Sequence, residues 1–269
     1  QVVLRANELG SSEALWGARG TVNMENAQLI ALSRQAALRN QLSVVANNMA
    51  NINTTGFKAQ RLLFEEFVMP VAEATEFTEP DHDLSYVHDY GTLTNFQEGS
   101  INLSGNELDM AIEGKGFFVV QMADGSEAYT RAGAFHLDNT GQLVTAEGHP
   151  VLTDGGPITF TQEDGRIEIA RDGTIATQNG VRGRMRVVEF ENSQQLIQST
   201  ATMFTGENAQ AAANPGVIQG ALEQSNVHGV DEMTRVIEIT RAYESVSKLM
   251  KDYDDLRQQA ISTLGRLEA

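Results

Sequence analysis

Apolar residues in this chain follow one rhythm near each end and a different texture in between. From Asn26 to about Ile52 the residues are good helix formers without Gly or Pro. Within that stretch Leu38, Leu42, Val45, Met49 and Ile52 recur alternately four and three positions apart. This spacing predicts a helix with a narrow apolar seam, rather than the broad stripe of a helix lying on a globular core. From about Val230 a longer seam runs through Ile239, Tyr243, Val246, Met250, Tyr253, Arg257, Ala260, Leu264 and Leu267, and only Arg257 is off pattern. Asp231 and Glu232 fall in its first turn, where the helix dipole favours negative charge. A one-sided seam cannot be buried by a single helix, so these two need each other or copies of themselves in neighbouring chains.

Between the helices the pattern turns to β. Asp-Gly at 124–125, 154–155, 164–165 and 172–173 and Asn-Gly at 179–180 supply residues that tolerate the positive φ of hairpin turns. The runs 116–121, 128–137, 142–146, 157–160, 166–170, 173–177 and 184–190 are short and β-prone, whereas 69–112 and 191–226 read as extended connectors. The expected fold class is therefore α+β: a compact all-β central domain carried on N- and C-terminal helices that pair as a coiled coil. In domain terms, residues 24–68 form the N-terminal helix and turn, 69–214 the β-rich part with its connectors, and 215–269 an extended segment and the long helix. Residues 1–23 read as a leader or non-native extension, since Met24 makes a more natural start and the stretch has no h-region or small-residue cleavage site of a secretory signal.

Charge narrows the list of partners. Thirty-six acidic residues against nineteen basic ones give a net charge of −17, which argues against nucleic acid or anionic lipid as the main partner. No Lys or Arg occurs between Arg61 and Lys115, a stretch holding twelve acids, which is either a solvated acidic surface or a docking face for a basic neighbour. The absence of cysteine removes disulfides, thiolate metal sites and cysteine nucleophiles.

Enzymatic motifs do not assemble. His82 and His88 with Asp81, Asp83 and Asp89 match no zinc or calcium loop spacing. The G-x-G at 114–116 lacks a third glycine and a following helix, and Ser245-x-x-Lys248 lies inside the helical seam. The expectation is a non-enzyme with no cofactor and no metal.

The end of the first helix carries a more specific signal. "VVANNMANINTTGFKAQR" (44–61) crowds short amides and a Thr-Thr-Gly break onto a helix that is apolar along one side. Ala46, Asn47, Asn48, Met49, Ala50, Asn51, Thr54, Gly56, Phe57 and Lys58 resemble the N-terminal signature of the flagellar basal-body rod and hook family. "SGNELDMAIEGKGFFVV" (104–120), "YTRAGAFHLDNTGQLVTAEGHPVL" (129–152) and "GALEQSNVHGVDEMTRVIEITRAYE" (220–244) resemble that family's central and C-terminal motifs, in the same order. Within the family, the short β body and the lack of long insertions resemble the proximal rod proteins; distal rod proteins are the nearest competitor, then hook proteins.

The resemblance implies a structural subunit of the basal-body rod, in the periplasm, assembling with copies of itself and other rod subunits into a torque-transmitting tube around the export channel. It further implies export by the flagellar type III apparatus without a cleaved signal. Leu38, Leu42, Val45, Met49, Ile52, Ile239, Tyr243, Val246, Met250, Tyr253 and Leu264 are then expected at subunit interfaces. Asn47, Asn48 and Asn51 are expected to satisfy a neighbour's backbone, because an amide both donates and accepts without burying a charge. Thr54, Thr55 and Gly56 are expected to end the helix, with Gly56 at positive φ. Two other readings remain open from the residues alone: a secreted β-domain binding module on a coiled-coil stalk, and an enzyme with its site in the acidic 79–89 stretch.

Overall fold

The computed structural model describes residues 16–69 and 84–267, with side chains in 28–63 and 91–263. The described residues divide into two compact units, one drawn from residues 16–44, 62–69, 84–92 and 235–267 and the other from residues 45–61 and 93–234.

The first unit is dominated by two long helices, α1 (Trp16–Ala50) and α2 (Gly229–Leu267). They pair antiparallel, because Gln28 donates to Asp254 at 3.1 Å and Gln35 donates to Ser247 at 3.0 Å. Seven steps forward along α1 thus match seven steps back along α2. Continued in that register, Leu38 comes level with Glu244 and Leu42 with Thr240, one residue from Tyr243 and Ile239. Ile239 is buried and Tyr243, Val246, Met250 and Tyr253 are half-buried, as a seam requires. Beyond Tyr253 the described side chains of α2, Arg257 and Ala260 included, are exposed, so the seam is shorter than its sequence repeat. Leu264 lies outside the described side chains.

Both ends of α1 differ from the sequence expectation. It reaches back to Trp16 rather than starting near Asn26; Gly17 and Gly20, each of which disfavours a helix by about 1 kcal/mol relative to Ala, hid that extension from the sequence pattern. It ends at Ala50 rather than Ile52. The Ile52 N–H turns back to Met49 O and the Asn51 N–H is shared between Asn47 O and Asn48 O, a tightening common at helix ends. A two-stranded ribbon, Gln60–Met69 with Leu84–Thr94, runs through part of the stretch expected to be a connector.

The second unit is the β domain. Its largest sheet is antiparallel throughout, with strands in the order Ile197–Gln198, Met203–Thr205, Glu127–Thr130, Phe117–Gln121, Val187–Glu189 and Gln210–Ala211. The unbroken apolar run Phe117–Val120 marks a strand covered on both faces. Phe118 and Val120 enter a core with Met110, Ile112, Phe135, Leu143 and Ile175. Phe117 and Val119 enter a second core with Tyr129, Val188 and Phe204. In the latter, rings meet edge to face, Phe96 with Phe204 at 5.2 Å and Tyr129 with Phe190 at 4.8 Å between centroids.

The two expected connectors turn out to pair with each other. Met110–Glu113 pairs with Gly216–Gln219, and Ile101–Leu103 pairs with Ala221–Glu223. Neither partner alternates cleanly, which is why the sequence pattern hid them: each strand is short and satisfied by a partner more than a hundred residues away. The run at 157–160 holds no full strand; Gly156–Pro157 pairs with Leu152–Thr153 and Thr159 makes a single bridge to Gln142.

Helix roots and outer helix faces as the candidate functional site

The last turn of α1, the segment that follows it and the first turn of α2 all belong to the β unit. Here the Asn-rich stretch is folded inward. Asn48 is fully buried, its Nδ2 donating to Gln60 O at 2.8 Å and its Oδ1 accepting from the Gln60 N–H at 2.9 Å. The neighbour-directed role expected for Asn48 is thus filled within its own chain: a buried amide must be paired, and the returning strand presents a backbone N–H and C=O at the right spacing. Asn51 is also occupied internally, donating to Asn47 O and Asn47 Oδ1 and accepting from Thr54 Oγ1. Asn47 is exposed.

Gly56 has φ +69, and a Cβ there would lie 2.2 Å from the backbone nitrogen of Ala132. Glycine is therefore required twice over, for the left-handed turn and for the close passage of backbone on backbone. Half-buried Thr54 and Thr55 precede it. The Gly56 N–H then donates to Glu223 O at 2.8 Å, and Phe57, fully buried, packs with Ala59, Val227 and Ile52. Ile52 is thus claimed by the root rather than by the helix seam. Asn226 ties the same segments together: its Oδ1 accepts from the Ala59 N–H, and its Nδ2 donates to Asn95 O and Gln97 O. α2 starts hard against this cluster, since a Cβ on Gly229 would lie 2.7 Å from Ile52 Cδ1.

At the centre of the root sit three charges, Lys58, Arg131 and Glu223, all at most 2% exposed. Lys58 Nζ donates to Glu223 Oε1 at 2.6 Å and to Gln97 O at 2.7 Å. The same carboxylate oxygen accepts from the Gly99 N–H at 2.9 Å. Arg131 reaches Glu223 Oε2 at 3.4 Å and Gly114 O at 2.6 Å, with its guanidinium 4.9 Å from the Phe117 ring centre. Burial lowers the pKa of both Lys58 and Arg131, and Glu223 pulls each back up. Such a cluster contributes little net stability, but removing one member leaves an uncompensated buried charge. None of the three was expected as a site residue. Each does sit inside one of these motifs as a lone charge between uncharged neighbours (Phe57-Lys58-Ala59, Thr130-Arg131-Ala132, Leu222-Glu223-Gln224), and that isolation was the available signal.

In the helical unit the geometry is of another kind. Leu29 and Leu32 on α1 are 50% and 54% exposed, and Leu249, Leu256 and Ile261 on α2 are 50%, 59% and 62% exposed. Gln28, Leu29, Leu32 and Met250 line an open apolar hollow of about 480 Å³. Leu42 is at the margin of exposure, Leu38 is half-buried, and Val45 and Met49, buried and half-buried, belong to the root. Among the described residues no group of three or more His, Asp or Glu is placed to hold a metal; Asp81, His82 and Asp83 lie outside them.

Comparison with known proteins extends the picture along the whole chain. Residues 29–58 match the profile of the flagella basal body rod protein, 111–177 that of the flagellar hook protein FlgE/F/G D1 domain, and 218–263 that of the flagellar basal body rod FlgEFG protein C-terminal region. The flagellar basal-body rod protein FlgF of Caulobacter vibrioides is 39% identical over 249 residues, covering 91% of this chain and 100% of the relative. FlgF of Rhizobium meliloti is 36% identical, with 90% and 99% covered. The rod protein FlgG of Bacillus subtilis is 34% identical, with 86% and 96% covered. With relatives at this identity matched along essentially their full length, and three profiles met in order, the chain belongs to the flagellar basal-body rod protein family.

Proposed function

We propose that the chain is a structural subunit of the proximal part of the basal-body rod, built into an axial assembly by the outer faces of its two helices. The observation that carries this reading is the row of half-exposed leucines and isoleucine on both helices of the helical unit. An antiparallel pair buries one side of each helix and leaves these side chains in water, a state favourable only if further helices cover them. The seam residues Leu38, Leu42, Ile239, Tyr243, Val246, Met250 and Tyr253 hold the pair together, and with the root residues Val45 and Met49 they set the faces that neighbouring copies meet. Partners are other rod subunits and copies of this chain. The site of assembly is the periplasmic rod, reached through the flagellar type III export apparatus without a cleaved signal, and torque transmission is the mechanical task.

Incorporation of a Val246→Asp variant into basal bodies tests the interface. The expected result is a folded β domain in a chain absent from purified rods; normal incorporation would refute the seam's role. A distal rod position is the second reading, favoured by the FlgG likeness. Complementation separates them: the proximal reading expects motility to return in cells lacking their proximal rod protein and not in cells lacking the distal one. A secreted module on a stalk would instead form a fixed small oligomer in dilute solution.

A further inference from the structure

Lys58, Arg131 and Glu223 come from three distant parts of the chain. Lys58 lies on the segment leaving α1, Arg131 on the β domain, and Glu223 on the strand leading into α2. Two cations share one carboxylate, and all three are withdrawn from water. Lys58 and Arg131 oppose each other's charge, so neither is comfortable without Glu223 between them. The surrounding bonds follow the same division. The Gly56 N–H needs Glu223 O, the Ala59 N–H needs Asn226 Oδ1, the Gln224 N–H needs Ser100 O, and the Gly99 N–H needs Glu223 Oε1. A Cβ on Gly99 would lie 1.9 Å from Gln224 O, so the segments touch backbone to backbone with no room for a substitute.

We propose that this triad is a latch that admits both helix roots to the β domain together or neither. If 45–61 docked alone, Lys58 would join Arg131 as a second buried cation with no carboxylate in contact and only the weaker fields of Glu98 and Glu189 to offset them, an unfavourable state. If 221–234 docked alone, Phe57 and Ala59 would leave Val227 uncovered and Lys58 would leave Glu223 Oε1 without its ammonium partner. Each root is therefore the condition for the other. Glu223 lies 165 residues after Lys58, so a chain cut short before the start of α2 cannot seat the end of α1. The device withholds a seated pair of helix roots from truncated chains.

Amide hydrogen exchange on the full-length chain tests this. Glu223→Gln is expected to accelerate exchange at least tenfold at Gly56 and Ala59 and, by the same factor, at Gln224 and Asn226. Adding Lys58→Met to Glu223→Gln removes one unpaired cation and is expected to recover part of the lost protection in both segments. A residue that served only to fill space would give the opposite, a double variant looser than either single. Loosening confined to one root, or a double variant looser than Glu223→Gln, overturns the latch. Should Glu223→Gln alone fail to fold, the double variant decides: a folded double upholds the latch and an unfolded one overturns it.

Discussion

The strand Phe117–Gln121 and the α2 stretch Arg235–Thr263 sit at opposite ends of the range of burial. Four successive residues of the strand are closed off on both faces, whereas in the helix stretch Ile239 alone is buried. In the described part of α1 that falls in the same unit, the buried residues are two alanines, Ala31 and Ala37. The β unit satisfies itself: its apolar side chains interdigitate, its rings meet edge to face and its charged root is internally paired. The helical unit has regular backbone hydrogen bonding but leaves much of its apolar surface unfinished. Stability in the first is a property of the chain; in the second it depends on what the helices are set beside.

The strongest way to break that contrast is to remove a large side chain from each unit. Phe118→Ala empties a site between two packed layers and should cost about 3–5 kcal/mol, read by denaturant unfolding followed through near-UV circular dichroism. Val246→Ala removes a half-buried side chain from the seam and should cost less than about 1 kcal/mol in the monomer. Equal losses would mean that the helical pair is as self-sufficient as the β domain. Next in size is Gly56→Ala, where the new Cβ meets the Ala132 backbone and the left-handed φ is strained; about 2–4 kcal/mol is expected from the same measurement.

How far the sequence revealed this contrast depended on the range of each signal. The seam at Ile239–Tyr253 and the run Phe117–Val120 were legible because a helical repeat and a continuous apolar strand are local patterns. The positive φ of Gly56 was legible for the same reason, as a Thr-Thr-Gly break ending an amide-rich helix. The strands at 101–103 and 216–223 were not, since their pairing is fixed by partners far along the chain. The buried triad was least legible of all. A lysine's burial depends on where an oppositely charged residue arrives, and nothing near Lys58 announces Glu223. Asn48 shows the converse error: its chemistry was read correctly as backbone-satisfying, but the backbone it satisfies belongs to its own chain.

Acid sharpens the contrast from the electrostatic side. In the β unit Asp164 is held well below the usual carboxylate range by the Arg182 guanidinium and by donation from the Thr161 N–H and hydroxyl. Asp124 and Asp138 are lowered by the hydroxyls of Ser126 and Thr140, and Asp172 by the Thr174 N–H and hydroxyl. A carboxylate whose folded pKa lies below its unfolded value of about 3.9 stabilises the fold above that value, and the contribution is lost as pH falls through the folded pKa. The β-domain thermal midpoint should therefore fall between about pH 4 and 2. Asp164→Asn should flatten that fall while lowering the midpoint at neutral pH; an unchanged slope would remove Asp164 from the account.

The smallest effect on the monomer should come from the outer helix face, and it is the most informative. Leu256 is 59% exposed, so Leu256→Ser forfeits little burial, and its cost to monomer stability should stay within about 0.5 kcal/mol. Serine is a poorer helix former than leucine by a few tenths of a kcal/mol, which already fills most of that allowance. In an assembly, the same leucine would be enclosed by helices of neighbouring copies, and its loss would be repeated at every equivalent contact. A chain with unchanged thermal unfolding that no longer enters rods would place Leu256 on a face whose value exists only between copies. If Leu256→Ser instead destabilises the isolated chain by more than about 1 kcal/mol, the helical unit is already covering that face by itself, and the contrast between a finished β domain and an unfinished pair of helices fails.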